Sequence, residues 1–161
     1  MPALTFTSGD VASASGVLVA SAQALAARGE ALWPPESLTP ERLARHYPPA
    51  GWRVAWEADV AVGCSVLLDR DPLFWPGDPA GEALYLHKLA VHPAEQGRGL
   101  AGALLEDAAA QARAAGRAWL RLDTASDRPK LRQVYLGAGF TVVDEVQVGA
   151  DHVVRLELWP K

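Results

Sequence analysis

Hydrophobic and polar positions alternate along this chain with two different periods, and each change of period marks an element. Leu4 to Thr7 alternates over a few residues and predicts a short strand. The uncharged run from Val11 to Ala27 has helical composition, with Ser8 or Asp10 placed to cap its start and Gly29 to stop it after Arg28. "WPPESLTP" then interrupts the pattern. Thr39 offers a second cap with Pro40 in the first helical position, and this short helix must end before Tyr47 because "YPPAG" cannot continue it. "WRVAWEA" alternates strictly and "VAVGCSVLLD" is mostly apolar, which predicts two strands joined near Ala58 and Asp59, the second of them inside a sheet.

"RDPLFWPGDPAGE" contains three prolines and two glycines, too many for a tight hairpin turn, and predicts an excursion. "ALYLHKLAV" follows as a strand, and the chain from about Arg98 to Ala115 as a helix ended by Gly116. "AWLRLDT" reads as a strand and "RPKLRQVYLGA" as a helix with Pro129 in its first turn and Asp127 available as a cap. "FTVVDEVQV" and "HVVRLELW" close the chain as two strands around a turn at Gly149 to Asp151. The order β-α-α-β-β-β-α-β-α-β-β, without repeats or low-complexity linkers, predicts an α/β chain in which one mixed sheet is covered by helices on both faces.

Composition narrows the function classes. With 161 residues, 50% of them hydrophobic, the chain has the size of one globular domain over residues 1–161. A net charge of −4 provides no global positive field, so neither nucleic acid nor an anionic membrane is an expected partner, and any anion site must be local. Ser13, Ser15, Ser21 and Gln23 dilute the uncharged run, and no Lys or Arg precedes it, which argues against a membrane span or a signal segment there. The single cysteine, Cys64, cannot close an internal disulfide. These features make a cytoplasmic protein the default expectation.

The most distinctive chemistry lies in "VHPAEQGRGLAGALL", Val91 to Leu105. A strand, a proline turn, two glycines around an arginine and then a helix would leave the N–H groups of residues 96 to 102 without intrahelical partners, in a dipole field that favours an anion. Gly97, Gly99 and Ala101 would let a diphosphate approach the backbone, and Arg98 could add a charge-assisted contact. A plain loop whose glycines meet steep dihedral demands explains the same residues. No lysine followed by Ser or Thr is present for a Walker A loop. "GRGLAG" does have the dinucleotide spacing, with Asp123 about where a ribose-binding acid would stand.

Gln96-Gly97-Arg98-Gly99-Leu100-Ala101 resembles the acyl-CoA signature of the GCN5-related N-acetyltransferase (GNAT) superfamily: Gln or Arg, two residues, Gly, one residue, Gly or Ala. The lead-in "LAVHP" and the later "DRPKLRQVYLGAGF", with Tyr135 and the pair Gly139-Phe140, are similar to the same family. The resemblance implies the GNAT fold, a mostly antiparallel sheet with a splay between its fourth and fifth strands. It implies acetyl-CoA as co-substrate, with pantetheine along Leu89, Ala90 and Val91, and the pyrophosphate on the amides of Gln96, Gly97, Arg98, Gly99, Leu100, Ala101 and Gly102. No metal is implied. It further implies acetyl transfer to a primary amine in a ternary complex, the amine belonging to a small molecule or a protein. A non-catalytic acyl-CoA-binding module and an interaction protein on the same fold are the alternatives. Relatives often dimerise through the closing strands, and nothing in this chain requires a homodimer.

Tyr135 matches the family tyrosine that protonates the departing thiolate. A direct carboxylate base is missing, because Tyr85 stands where many members have a glutamate. His87, with a pKa suited to proton transfer, is one candidate for the base if Tyr85, His87, Leu89 and Val91 share a face of a regular strand. Glu82, acting through water, is the other. Arg128 replaces an asparagine that contacts the cofactor in relatives, and either meets a CoA phosphate or lies on the surface. Trp33, Pro34, Pro35, Tyr47, Phe74 and Trp75 would line an acceptor pocket or form a satellite core. Glu36, Asp69, Asp71, Asp78 and Glu82 would favour a cationic amine or serve as ordinary surface charge.

Overall fold

The computed structural model describes residues 3–161. Along them run β1 (Thr5–Ser8), α1 (Val11–Ala27), α2 (Pro40–His46), β2 (Trp52–Glu57), β3 (Val60–Leu68), β4 (Ala83–Val91), α3 (Leu100–Ala114), β5 (Trp119–Ala125), α4 (Pro129–Gly137), β6 (Thr141–Val148) and β7 (Asp151–Leu158). This is the predicted order. Single 3₁₀ turns at Pro35–Leu38, Pro49–Gly51 and Pro93–Glu95 were not anticipated, each opening on a proline whose fixed φ suits a first helical position. The strands form one seven-stranded sheet in the order β1-β2-β3-β4-β5-β7-β6. β4 and β5 pair in parallel, whereas β1–β2, β2–β3, β5–β7 and β6–β7 are antiparallel. No helix among the described residues is long and apolar enough to cross a membrane.

The caps follow the local chemistry. Asp10 accepts from the Ser13 amide at 2.9 Å and its hydroxyl at 2.7 Å, so Asp10 rather than Ser8 starts α1. Thr39 accepts from the Arg42 amide at 3.3 Å to start α2. At α4 the expectation fails, because Arg128 occupies the cap position without a side-chain cap bond and Asp127 lies one residue outside it. α3 begins two residues later than predicted. Gly97 and Gly99 have φ of +79° and +74°, which no right-handed helix contains, so the turn runs through Gly99.

The chain divides into two compact units, Met1–Leu67 with Lys88–Leu104, and Leu68–His87 with Leu105–Lys161. In the first, Ala55, Val62, Val91, Leu100 and Leu104 are buried together, with Leu4, Phe6, Leu89 and Ala101 packed around them. Gly63 is there because β3 passes close to α3: a Cβ on it would stand 2.7 Å from Leu104 Cδ1 and 3.1 Å from the Ala90 carbonyl. In the second, Trp75, Ala83 and Tyr85 form a cluster with Leu68, Phe74 and Trp119. The Arg121 and Arg155 guanidiniums lie 5.2 and 4.7 Å from the Trp75 ring centre, so the excursion carries its own satellite core.

Candidate active site

β4 is the strand on which the predicted chemistry depends, and it is irregular. Lys88 takes φ +53° in mid-strand, a left-handed conformation that is uncommon outside glycine and breaks the two-residue alternation. The expectation that Tyr85, His87, Leu89 and Val91 share one face is therefore corrected. Ala83 to Leu86 are buried without interruption, His87 to Leu89 are half-buried, and Ala90 and Val91 are buried again. Tyr85 packs against Trp75, while Leu89 and Val91 pack with the α3 residues Leu100 and Leu104. The pairing of β4 with β5 covers Ala83–Tyr85 against Trp119–Arg121 and stops there, although β4 continues to Val91.

After β4, the His92 amide donates to the Val62 carbonyl at 2.8 Å and the Gln96 side-chain amide donates to the Val91 carbonyl at 3.1 Å. The Gln96 side chain thus ties the turn back to the end of the strand. The first α-type bond of α3 runs from the Ala103 amide to the Gly99 carbonyl at 3.3 Å, which leaves the amides of Leu100, Ala101 and Gly102 at the open end of a fifteen-residue helix. Gly97, Gly99 and Gly102 are exposed, and a Cβ on Gly97 or Gly102 would meet nothing within 4 Å. Arg98 does not extend into this space as a free cation: its guanidinium is held by Glu57 and Glu95.

In the other unit, His87 Nε2 lies 2.7 Å from Asp71 Oδ2. Asp71 is buried and placed by its own turn, in which Oδ1 accepts from the Phe74 amide at 3.3 Å and its carbonyl accepts from the Trp75 amide at 2.8 Å. Asp123, on β5, completes the group, and a donor atom of each residue lies within 4.8 Å of the others. Asp123 Oδ1 is shut off from solvent and has no hydrogen-bond partner. Burial pushes the Asp123 carboxyl up to about 6, with Asp71 and Asp151 adding to the rise and His87 opposing it. Two carboxylates beside an imidazole could receive a cation, either a metal ion or a ligand ammonium. Tyr135, on α4, is buried against Phe140, with ring centres 5.9 Å apart. Burial, then the Asp123 charge, holds its phenol above the ordinary range, so it remains a proton donor across neutral pH.

The other predicted residues divide clearly. Glu82 is committed to Arg121, 2.6 Å away, and Arg121 also holds Asp78 at 3.0 Å and Glu157 at 2.9 Å. Tyr85 donates to Asp78 at 2.6 Å, and burial followed by Asp78 pushes its phenol up to about 12. Arg128 stands half-buried where α4 begins. Of the aromatic residues, Trp75 is core, Phe74 lies beside the His87 ring at 6.3 Å, and Trp33 carries the Lys88 ammonium 4.6 Å above its ring. Sequence reasoning missed Asp123 as a partner of His87. The signal available was the lone acid in the strand "WLRLDT".

No curated protein matches this chain in sequence. Among solved structures it resembles yncA from Salmonella typhimurium, solved with its cofactor acetyl-CoA (22% identity, 99% of this chain and 94% of that one, TM-score 0.70). A GNAT-family structure from Desulfovibrio desulfuricans matches with 20% identity over 99% and 100% of the two chains and a TM-score of 0.73. Ard1 from Thermoplasma volcanium matches with 15% identity over 97% of each and a TM-score of 0.71. These likenesses carry the fold, and the family rests on sequence: residues 19–140 match the model of the acetyltransferase (GNAT) family, to which this chain belongs.

Proposed function

We propose that the protein is an N-acetyltransferase that moves an acetyl group from acetyl-CoA to a primary amine. The observation that carries this reading is the 2.7 Å contact with Asp71 made by His87, which lies on the strand that leads into the Gly97–Gly99 turn. A carboxylate at Asp71 accepts, so in this scheme Nε2 of His87 donates to it and Nδ1 is the ring nitrogen that takes the amine's proton. His87, and not the ion-paired Glu82, is the base in this scheme. The amides of residues 96 to 102 hold the pyrophosphate, and the backbone of Leu89, Ala90 and Val91, beyond the last β4–β5 pair, binds pantetheine. Acetyl-CoA in the yncA structure supports the choice of donor. Arg128, at the start of α4, is assigned to a CoA phosphate.

The chemistry follows from these groups. The neutral amine attacks the thioester carbonyl carbon, and the nitrogen then loses a proton to His87. The tetrahedral intermediate collapses with C–S cleavage, and the Tyr135 hydroxyl gives its proton to the departing sulfur. Solvent restores both side chains, so amide and free CoA thiol are the net products. One globular domain over residues 1–161 and a cytoplasmic setting complete the reading, the buried Cys64 being consistent with a reduced thiol. Thiol release across a panel of amines tests it. Tyr135→Phe is expected to lower kcat by about a hundredfold or more with CoA affinity kept. Tight CoA binding without transfer to any amine would instead leave an acyl-CoA-binding module.

A further inference from the structure

A buried carboxylate requires a cation or donors in place of lost water. Asp123 Oδ1 has no hydrogen-bond partner, and the residue's own backbone amide and His87 offset its burial only in part. Its direct cross-strand neighbour is Arg155 on β7, the residue that would ordinarily neutralise it. Arg155, however, gives Nε and Nη2 to Asp144 at 2.7 and 2.6 Å and Nη1 to the Phe74 carbonyl at 3.1 Å. Arg121, two residues earlier on β5, is bound by Asp78, Glu82 and Glu157. The charged and titratable groups that act on Asp123 are His87 from β4, Asp71 from the excursion, Asp151 from β7 and Tyr135 from α4. Two carboxylates, Asp71 and Asp123, therefore stand beside one imidazole, and both neighbouring guanidiniums are occupied elsewhere.

We propose that Asp123 is the counter-ion for the acceptor's ammonium group, so that the acceptor is a strongly basic primary alkylamine which arrives as its cation and is deprotonated beside His87. This rests on the N-acetyltransferase reading and names its substrate class. One N–H bond of the ammonium breaks, its proton passes to His87 Nδ1 and on to solvent, and its electron pair remains on nitrogen for the attack. The second proton lost by nitrogen is matched by the one that Tyr135 gives to sulfur. The overall reaction releases amide, CoA thiol and one proton.

Steady-state kinetics with acetyl-CoA, using n-butylamine against aniline and methoxyamine, which are uncharged at neutral pH, supplies the test. The butylamine KM in Asp123→Asn is expected to rise about tenfold or more, the loss of one charge-assisted contact, with the acetyl-CoA KM unchanged. In the wild type, 1/KM for butylamine should fall about tenfold per pH unit below about 6 as Asp123 gains a proton, and this limb should disappear in the variant. Preference for aniline or methoxyamine, or an unchanged butylamine KM in a folded variant, would overturn the proposal. If the variant does not fold, the wild-type limb decides alone. If acetyl-CoA binds but no amine is acetylated, the N-acetyltransferase reading fails, and calorimetry of butylamine on the acetyl-CoA-loaded wild type and variant decides whether Asp123 anchors a cation. Zinc binding that is lost in the variant, with no butylamine binding, would assign the group to a metal and overturn it.

Discussion

Asp123 shows how a single residue can be adapted to its site at the expense of the fold. Its carboxyl is pushed from 3.8 to about 6, so the folded chain holds that proton more tightly than the unfolded chain does. Below the unfolded value the effect vanishes; as pH rises the ionised form becomes a growing penalty, complete above about 6. At roughly 1.4 kcal/mol per pK unit the penalty is on the order of 3 kcal/mol. Asp123→Asn is thus expected to gain stability at pH 7 relative to pH 4 by about that amount in urea unfolding. Equal effects at the two pH values would show that the carboxylate is not under strain. His87 and Tyr135 could be nominated as candidates from residue type and motif position, because imidazole and phenol carry their chemistry with them. The pairing of His87 with Asp71 could not, since sixteen residues and an irregular excursion separate them.

At the scale of elements, two glycines of similar appearance in the sequence do different work. Gly63 lies in β3 and is required by packing, whereas Gly97 has open space around its missing Cβ and is required by its dihedral of +79°. Gly63→Ala should cost about 1–3 kcal/mol by overpacking against Leu104, with CoA affinity of the folded fraction kept. Gly97→Ala should cost about 1–2 kcal/mol and also weaken CoA binding, because relief of the strain moves the amides proposed to hold the phosphate. Chemical denaturation and CoA titration of both variants separate the two roles; equal losses of CoA affinity would show that they are not distinct. Element types and order were legible because periodicity and caps are local. Prediction failed at single positions inside elements: Lys88 is left-handed inside β4, and Arg128 takes the cap of α4 in place of Asp127.

For the whole molecule, connectivity is the informative feature. The division between the compact units falls inside β4, at His87 and Lys88, and inside α3, at Leu104 and Leu105, so neither unit is one continuous segment. Unfolding one of them would break a strand and a helix that the other also needs. We expect a single cooperative transition, with tryptophan fluorescence, which reports Trp33, Trp52 and Trp56 in one unit and Trp75, Trp119 and Trp159 in the other, coinciding with far-ultraviolet circular dichroism. Separate transitions would show two independently folding bodies. The sequence by itself determined the element order, the CoA signature and the family, because hydrophobic period, caps and a contiguous loop motif are written in neighbouring residues. Only the tertiary structure decided that Glu82 is neutralised by Arg121, that His87 is held by Asp71, and that Asp123 Oδ1 is left without a hydrogen-bond partner. Charge balance in a buried site depends on which side chains distant segments bring within a few ångströms, and no local pattern encodes that.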